Sequence, residues 1–237
     1  MNLIKQHWQN KDILEYRTFT NTLLGTDEEC KWEQNIINTK LKCFGKTSCK
    51  AKILVKDIKK GNYFEFLNNL TIKNHLDSLV CAYLISNIKN FDEFEMYLNK
   101  FVLTIDNWAS TDTLKFANKN KEQLFKLSKK YMSSDAPFVR RTGLNIFFEL
   151  IKDKQYVNKV FETLNSLSNE QNYYVNMCAA WLLAECFVKH RDETITYFKN
   201  NATNFFIINK AISKCRDSFR VSKQDKDFLL QFKKVQN

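Results

Sequence analysis

An all-α chain is predicted by three observations. Of 237 residues only 4 are Gly and 1 is Pro, which removes the turn chemistry that β-sandwiches and barrels need. Hydrophobic residues make up 44% of the chain, including 20 Phe, ample to bury a core despite the many Lys and Asn. Apolar positions also recur at helical spacing nearly everywhere. The length exceeds one typical domain, but a helical array grows by adding units, so residues 1–237 are read as one continuous body.

Breaks in the periodicity fall at Gly25-Thr26-Asp27, Gly45-Lys46-Thr47, Gly61-Asn62, Asn90-Phe91-Asp92, Ser133 to Pro137, Asn169 to Asn172 and Asn200 to Asn204. They delimit helices of ordinary length, with residues 1–43 forming divergent N-terminal helices. The clearest start is Ser134-Asp135-Ala136-Pro137, where a capping side chain precedes a proline in a first turn that has no need of its N–H. From there Leu144, Phe147, Phe148 and Ile151 mark a buried stripe. Segments 120–132 with 136–152, and 154–166 with 171–189, read as antiparallel pairs joined by short loops. The pairing predicts an α-α superhelix, a solenoid of HEAT-like helix pairs.

Thirty-seven Lys plus Arg against 26 Asp plus Glu give a net charge of +11, which attracts phosphate or anionic lipid. Seven cysteines (Cys30, Cys43, Cys49, Cys81, Cys178, Cys186 and Cys215) are odd in number and lack any CxxC spacing. They suit a reducing compartment. The opening segment has no uninterrupted apolar core and no stretch approaches membrane-spanning length. A soluble, intracellular protein is expected. His7, His75 and His190 are scattered without metal-ligand spacing, and neither a glycine-rich phosphate loop nor a nucleophile motif occurs. Neither metal nor cofactor is expected.

Trp108 with Asp112, then Arg141, then Trp181 stand 33 and 40 residues apart, an interval of about one helical hairpin. Ile105, Ala109 and Phe116 define an apolar arc, with Asp112 within or beside it and Trp108 flanking it. Arg140 and Arg141 flank opposite sides of the Leu144, Phe147 and Phe148 face. Singly, each has an ordinary structural explanation: a capped acid at a packing edge, a core indole, a solvated arginine. Near the C-terminus Lys210, Lys214 and Arg220 recur near helical spacing among eight basic and three acidic residues, so one face could track a DNA backbone.

Four ordered blocks resemble the AlkD-type DNA alkylation repair proteins over about Phe44 to Lys234: Ile105-Asp106-Asn107-Trp108-Ala109-Ser110-Thr111-Asp112, Phe138-Val139-Arg140-Arg141-Thr142, Tyr173 to Trp181, and Asn209 to Arg220. Gly45-Lys46-Thr47-Ser48-Cys49 departs from that pattern, replacing the proline-containing segment expected after the glycine. The resemblance implies a C-shaped solenoid with a basic concave face for duplex DNA. It implies excision of N3- or N7-alkylated purines without base flipping, an exception among base-excising enzymes. Asp112 is then similar to the family's catalytic carboxylate, and Trp108 and Trp181 to the indoles contacting the lesion-bearing deoxyribose. Arg141 is similar to the phosphate-contacting arginine, with Arg140 as alternative. The expected partner is duplex DNA containing alkylated purines, bound by a monomer. Two other classes suit the same surface: a non-catalytic module for distorted or branched nucleic acid, and a protein-interaction scaffold.

Overall fold

A computed structural model describes residues 1–234. All its regular structure is helical: α1 (Asn10–Asn21), α2 (Asp27–Ile37), α3 (Thr47–Ile58), α4 (Tyr63–Asn69), α5 (His75–Asn87), α6 (Phe91–Val102), α7 (Trp108–Thr113), α8 (Lys121–Met132), α9 (Pro137–Leu150), α10 (Val157–Asn165), α11 (Tyr173–Lys189), α12 (Arg191–Asn200), α13 (Phe205–Asp217) and α14 (Lys223–Phe228). The chain divides into two compact units, Met1–Asn118 and the remainder from Lys119.

Asparagine starts half of these helices. Asn62, Asn74, Asn90, Asn107, Asn120, Asn172 and Asn204 each stand at an N-cap, and each side-chain oxygen accepts a backbone N–H from the first turn. An asparagine there satisfies a donor that has no partner inside the helix. Thr26 closes a capping box with Glu29 at α2.

In the first unit α5 is buried nearly all round, through Leu76, Leu79, Val80, Cys81, Leu84 and Ile85. It packs against α3, α4, α6 and α7. Helix α6 shows the one-sided alternative, burying Phe94, Tyr97, Leu98, Phe101 and Val102 at helical spacing. In the second unit α11 is the central helix and packs on α9, α12 and α13. Helix α10 buries Val157, Val160, Phe161 and Leu164, and the Phe161 ring stacks on Tyr197 of α12 at 4.4 Å.

Several expectations are corrected. Helices α8 and α9 pair as anticipated, but the chief neighbours of α11 are α9 and α13 rather than the segment 154–166. Ala136, not Ser134 or Asp135, is the N-cap of α9. The Ser134 hydroxyl accepts the Ala136 N–H at 3.2 Å, two positions before the N-cap and outside the helix, and Pro137 occupies the first turn as predicted. Phe148 leaves the buried stripe that Leu144, Phe147 and Ile151 form and is only half-buried.

Candidate functional site

Helix α7, in the first unit, carries two of the predicted residues, Trp108 and Asp112. Its six residues are too few to stand alone, so it is held by side chains. Asn107 Oδ1 accepts the Ser110 N–H at 2.9 Å, and its amide donates to Asp106 Oδ1 at 2.8 Å. Asp106 in turn accepts from the Thr39 hydroxyl at 2.7 and 2.8 Å and from the Lys40 N–H at 2.8 Å. Burial alone would raise the Asp106 carboxyl, but these donors outweigh it and hold it below the usual carboxylate range. On the buried side Ser110 and Ser78 of α5 share a hydrogen bond of 2.8 Å.

The helix is shorter than the apolar arc of Ile105, Ala109 and Phe116 implies, so Ile105 and Phe116 lie outside it. Both are buried nonetheless, and within α7 the buried side chains are Ser110 and Thr111. Trp108 and Asp112, one turn apart on one face, are each half-buried. The Trp108 indole N–H donates to the Ile36 carbonyl at 3.4 Å, which orients the ring against α2. The Thr111 hydroxyl lies 2.8 Å from the Trp108 carbonyl and 3.1 Å from Asp112 Oδ1. With one proton it serves one acceptor at a time. Asp112 stands at the C-terminal end of α7, where the helix carbonyls add negative potential.

The second unit carries the other predicted residues. Trp181 on α11 is 39% exposed, and its ring leans on Phe148 of α9 with centroids 4.4 Å apart. Arg141 is buried, and its Nη1 donates to the Tyr174 carbonyl at 2.6 Å in the first turn of α11. Arg140 is a bracket: Nε and Nη2 fork onto Glu170 at 2.9 and 3.1 Å, while Nη1 reaches the Ser134 and Asp135 carbonyls. Trp181 also walls a depression of 290 Å³ shared with Glu185, Lys214, Asp217 and Arg220. There Arg220 forks onto Glu185, which holds its guanidinium above its ordinary range. Lys210 is exposed and Lys214, one turn on, half-buried. Neither makes an ion pair among the described residues.

Several members of the site were not anticipated. Thr39, Asp106 and Asn107 fix α7, Phe148 seats Trp181, and Glu170 and Glu185 hold two of the arginines. An Asp-Asn pair directly before Trp108 was the one local signal, since such residues cap helices. Among the described residues no group of three His, Cys, Asp or Glu side chains is placed to hold a metal ion. No described helix is long and apolar enough to cross a membrane.

An all-helical protein of charge +11 with one acid and two indoles held at solvent-accessible positions is of the kind that handles a polyanionic ligand. The model of the family described as DNA alkylation repair enzyme matches residues 22–215, and the chain belongs to that family. Its role therefore lies in DNA alkylation repair, with DNA as the partner the family suggests. The match begins well before Phe44, so α2 and α3 lie within it despite their divergence, and it ends before Arg220. No curated protein and no solved structure matches the chain.

Proposed function

We propose that this protein is a DNA glycosylase that hydrolyses the N-glycosidic bond of cationic N3- or N7-alkylated purines in duplex DNA, without flipping the base. The observation that carries the reading is Asp112, half-buried one turn from the half-buried Trp108 on an anchored helix, in a chain of the alkylation repair family.

The chemistry requires little else. A purine alkylated at N3 or N7 already bears positive charge, so it leaves as a neutral base with the bonding electron pair and needs no general acid. Positive charge then develops on the sugar. A carboxylate, the carbonyl end of α7 and an indole face each stabilise that charge more than they stabilise the bound substrate. Water adds to the anomeric carbon and gives its proton to Asp112, which orients it, as the second carboxylate does in inverting glycosidases. Trp181, on the second unit, presents a further indole, 39% exposed beside Phe148. Lys210 and Lys214 supply phosphate contacts, and Arg220, held by Glu185, fixes the turn beside them. Arg141 and Arg140 act on DNA through the N-terminal turns of α9 and α11 that they brace.

The test is incubation with methylated duplex DNA, scoring released N3-methyladenine and N7-methylguanine. Asp112→Asn is expected to lower excision on the order of 10²-fold while leaving duplex affinity nearly unchanged. Equal loss of both would remove Asp112 from the chemistry. Tight, salt-sensitive binding by the native protein with no base released would make it a binding module instead.

A further inference from the structure

The turn between α13 and α14 presents Phe219, which at 95% exposure is the most exposed large apolar side chain among the described residues. Its backbone is firmly tied. The Arg220 N–H donates to Ser218 Oγ at 3.2 Å and the Val221 N–H to the Ser218 carbonyl at 3.4 Å, while Val221 is buried. Arg220 anchors the turn to α11 through its fork onto Glu185. On the far side Ser222 caps α14 by accepting the Asp225 N–H, and Asp225 accepts the Arg191 guanidinium of α12 at 2.9 and 2.6 Å.

A phenyl ring held in water on an anchored turn has its burial still to gain, and the charges around it select the partner. Between residues 214 and 223 Lys214, Arg216 and Lys223 stand against Asp217, Arg220 being held by Glu185, with Arg216 and Lys223 exposed. An apolar protein surface would strand those cations. Nucleic acid satisfies both features, offering phosphates beside base faces. The foot of the turn also lines the depression beside Trp181, through Ser218 and Arg220.

We propose that Phe219 is a wedge that packs against a base step of duplex DNA while Arg216 and Lys223 contact the flanking phosphates. The proposal rests on the reading that DNA is the ligand, and it adds a contact outside the matched family span, which ends at residue 215.

The experiment uses the full chain and unmodified duplex carrying 2-aminopurine, read by anisotropy at several salt concentrations and by 2-aminopurine fluorescence. Phe219→Ala is expected to weaken binding ~tenfold, abolish the fluorescence rise that marks unstacking, and leave the salt slope intact. Phe219→Trp retains both binding and signal. Arg216→Ala lowers the slope by about one. Phe219→Ala binding DNA as well as the native protein does would overturn the wedge alone, leaving the glycosylase assay to stand on its own. Failure of the native protein to bind duplex would overturn both readings, and Phe219-dependent binding to anionic phospholipid vesicles without DNA binding would replace DNA by a membrane surface.

Discussion

Asp106 shows how one side chain can set the position of another. It joins the turn after α2 to the cap of α7, accepting from Thr39, Lys40 and Asn107. Asp106→Ala is therefore expected to cost about 1–3 kcal/mol of stability, measured by denaturant melts. It should also lower base excision with little change in duplex affinity, because Trp108 and Asp112 lose their fixed orientation. The carboxyl titrates below its unfolded value of about 3.9, so its stabilisation is present above that pH and is lost as pH falls through the folded value. His75 acts higher on the pH scale. Its buried imidazole is disfavoured as a cation, and burial lowers its pKa from 6.5, so the unfolded chain takes up the proton first. Stability should be full above about pH 6.5 and decline as pH falls below it. Melting temperatures measured across that range should flatten in His75→Gln.

Helices meet closely where side chains permit. Gly143 of α9 faces α8, and a Cβ there would meet the Ser128 carbonyl oxygen at 3.1 Å and Met132 Sδ at 3.2 Å. The Ser128 hydroxyl donates to the Gly143 carbonyl at 2.9 Å across the same contact. Gly143→Val should therefore force α8 and α9 apart and destabilise the protein by about 1–3 kcal/mol in thermal or urea unfolding. In the first unit Arg17 of α1 donates to Asp77 Oδ2 of α5 at 3.0 Å and to the Thr71 carbonyl at 2.5 Å. Asp77 is fully buried. Arg17→Ala leaves that carboxylate uncompensated and should cost about 3 kcal/mol, whereas Arg17→Ala with Asp77→Asn should recover part of the loss. Helix starts were legible where turn-forming residues cluster at the cap, as at Gly61-Asn62, Asn90-Phe91-Asp92 and Asn169 to Asn172, and Asn120 opens the segment read as 120–132. The caps at Asn74 and Asn107 were passed over because no such cluster surrounds them, although the same side-chain hydrogen bond closes each helix start.

A net charge of +11 acts over distances longer than any hydrogen bond. DNA affinity should fall linearly with the logarithm of salt concentration, and replacing Lys210 and Lys214 together by Ala should reduce that slope by about two. Arg140→Ala is expected to behave differently. Its guanidinium is engaged by Glu170 and two carbonyls, so its loss should appear in the melting temperature before it appears in the slope. From composition the two kinds of arginine are indistinguishable, since charge counts take no account of which cations an acid has already neutralised.

Helix content, the two indoles and the acid on an all-α chain, and family membership were all written in the linear order of residues, because helical periodicity and motif spacing are local properties. Which residues hold α7 in place was not, since Thr39, Ser78 and Asp106 come together only when α2, α5 and α7 pack. Nor was the state of the cations: Arg141 buried against α11, Arg140 and Arg220 clamped by glutamates, and Phe219 left in water are outcomes of long-range contacts. Folding brings acids and bases from distant segments within hydrogen-bond reach, and no spacing rule along one helix can foretell those pairings.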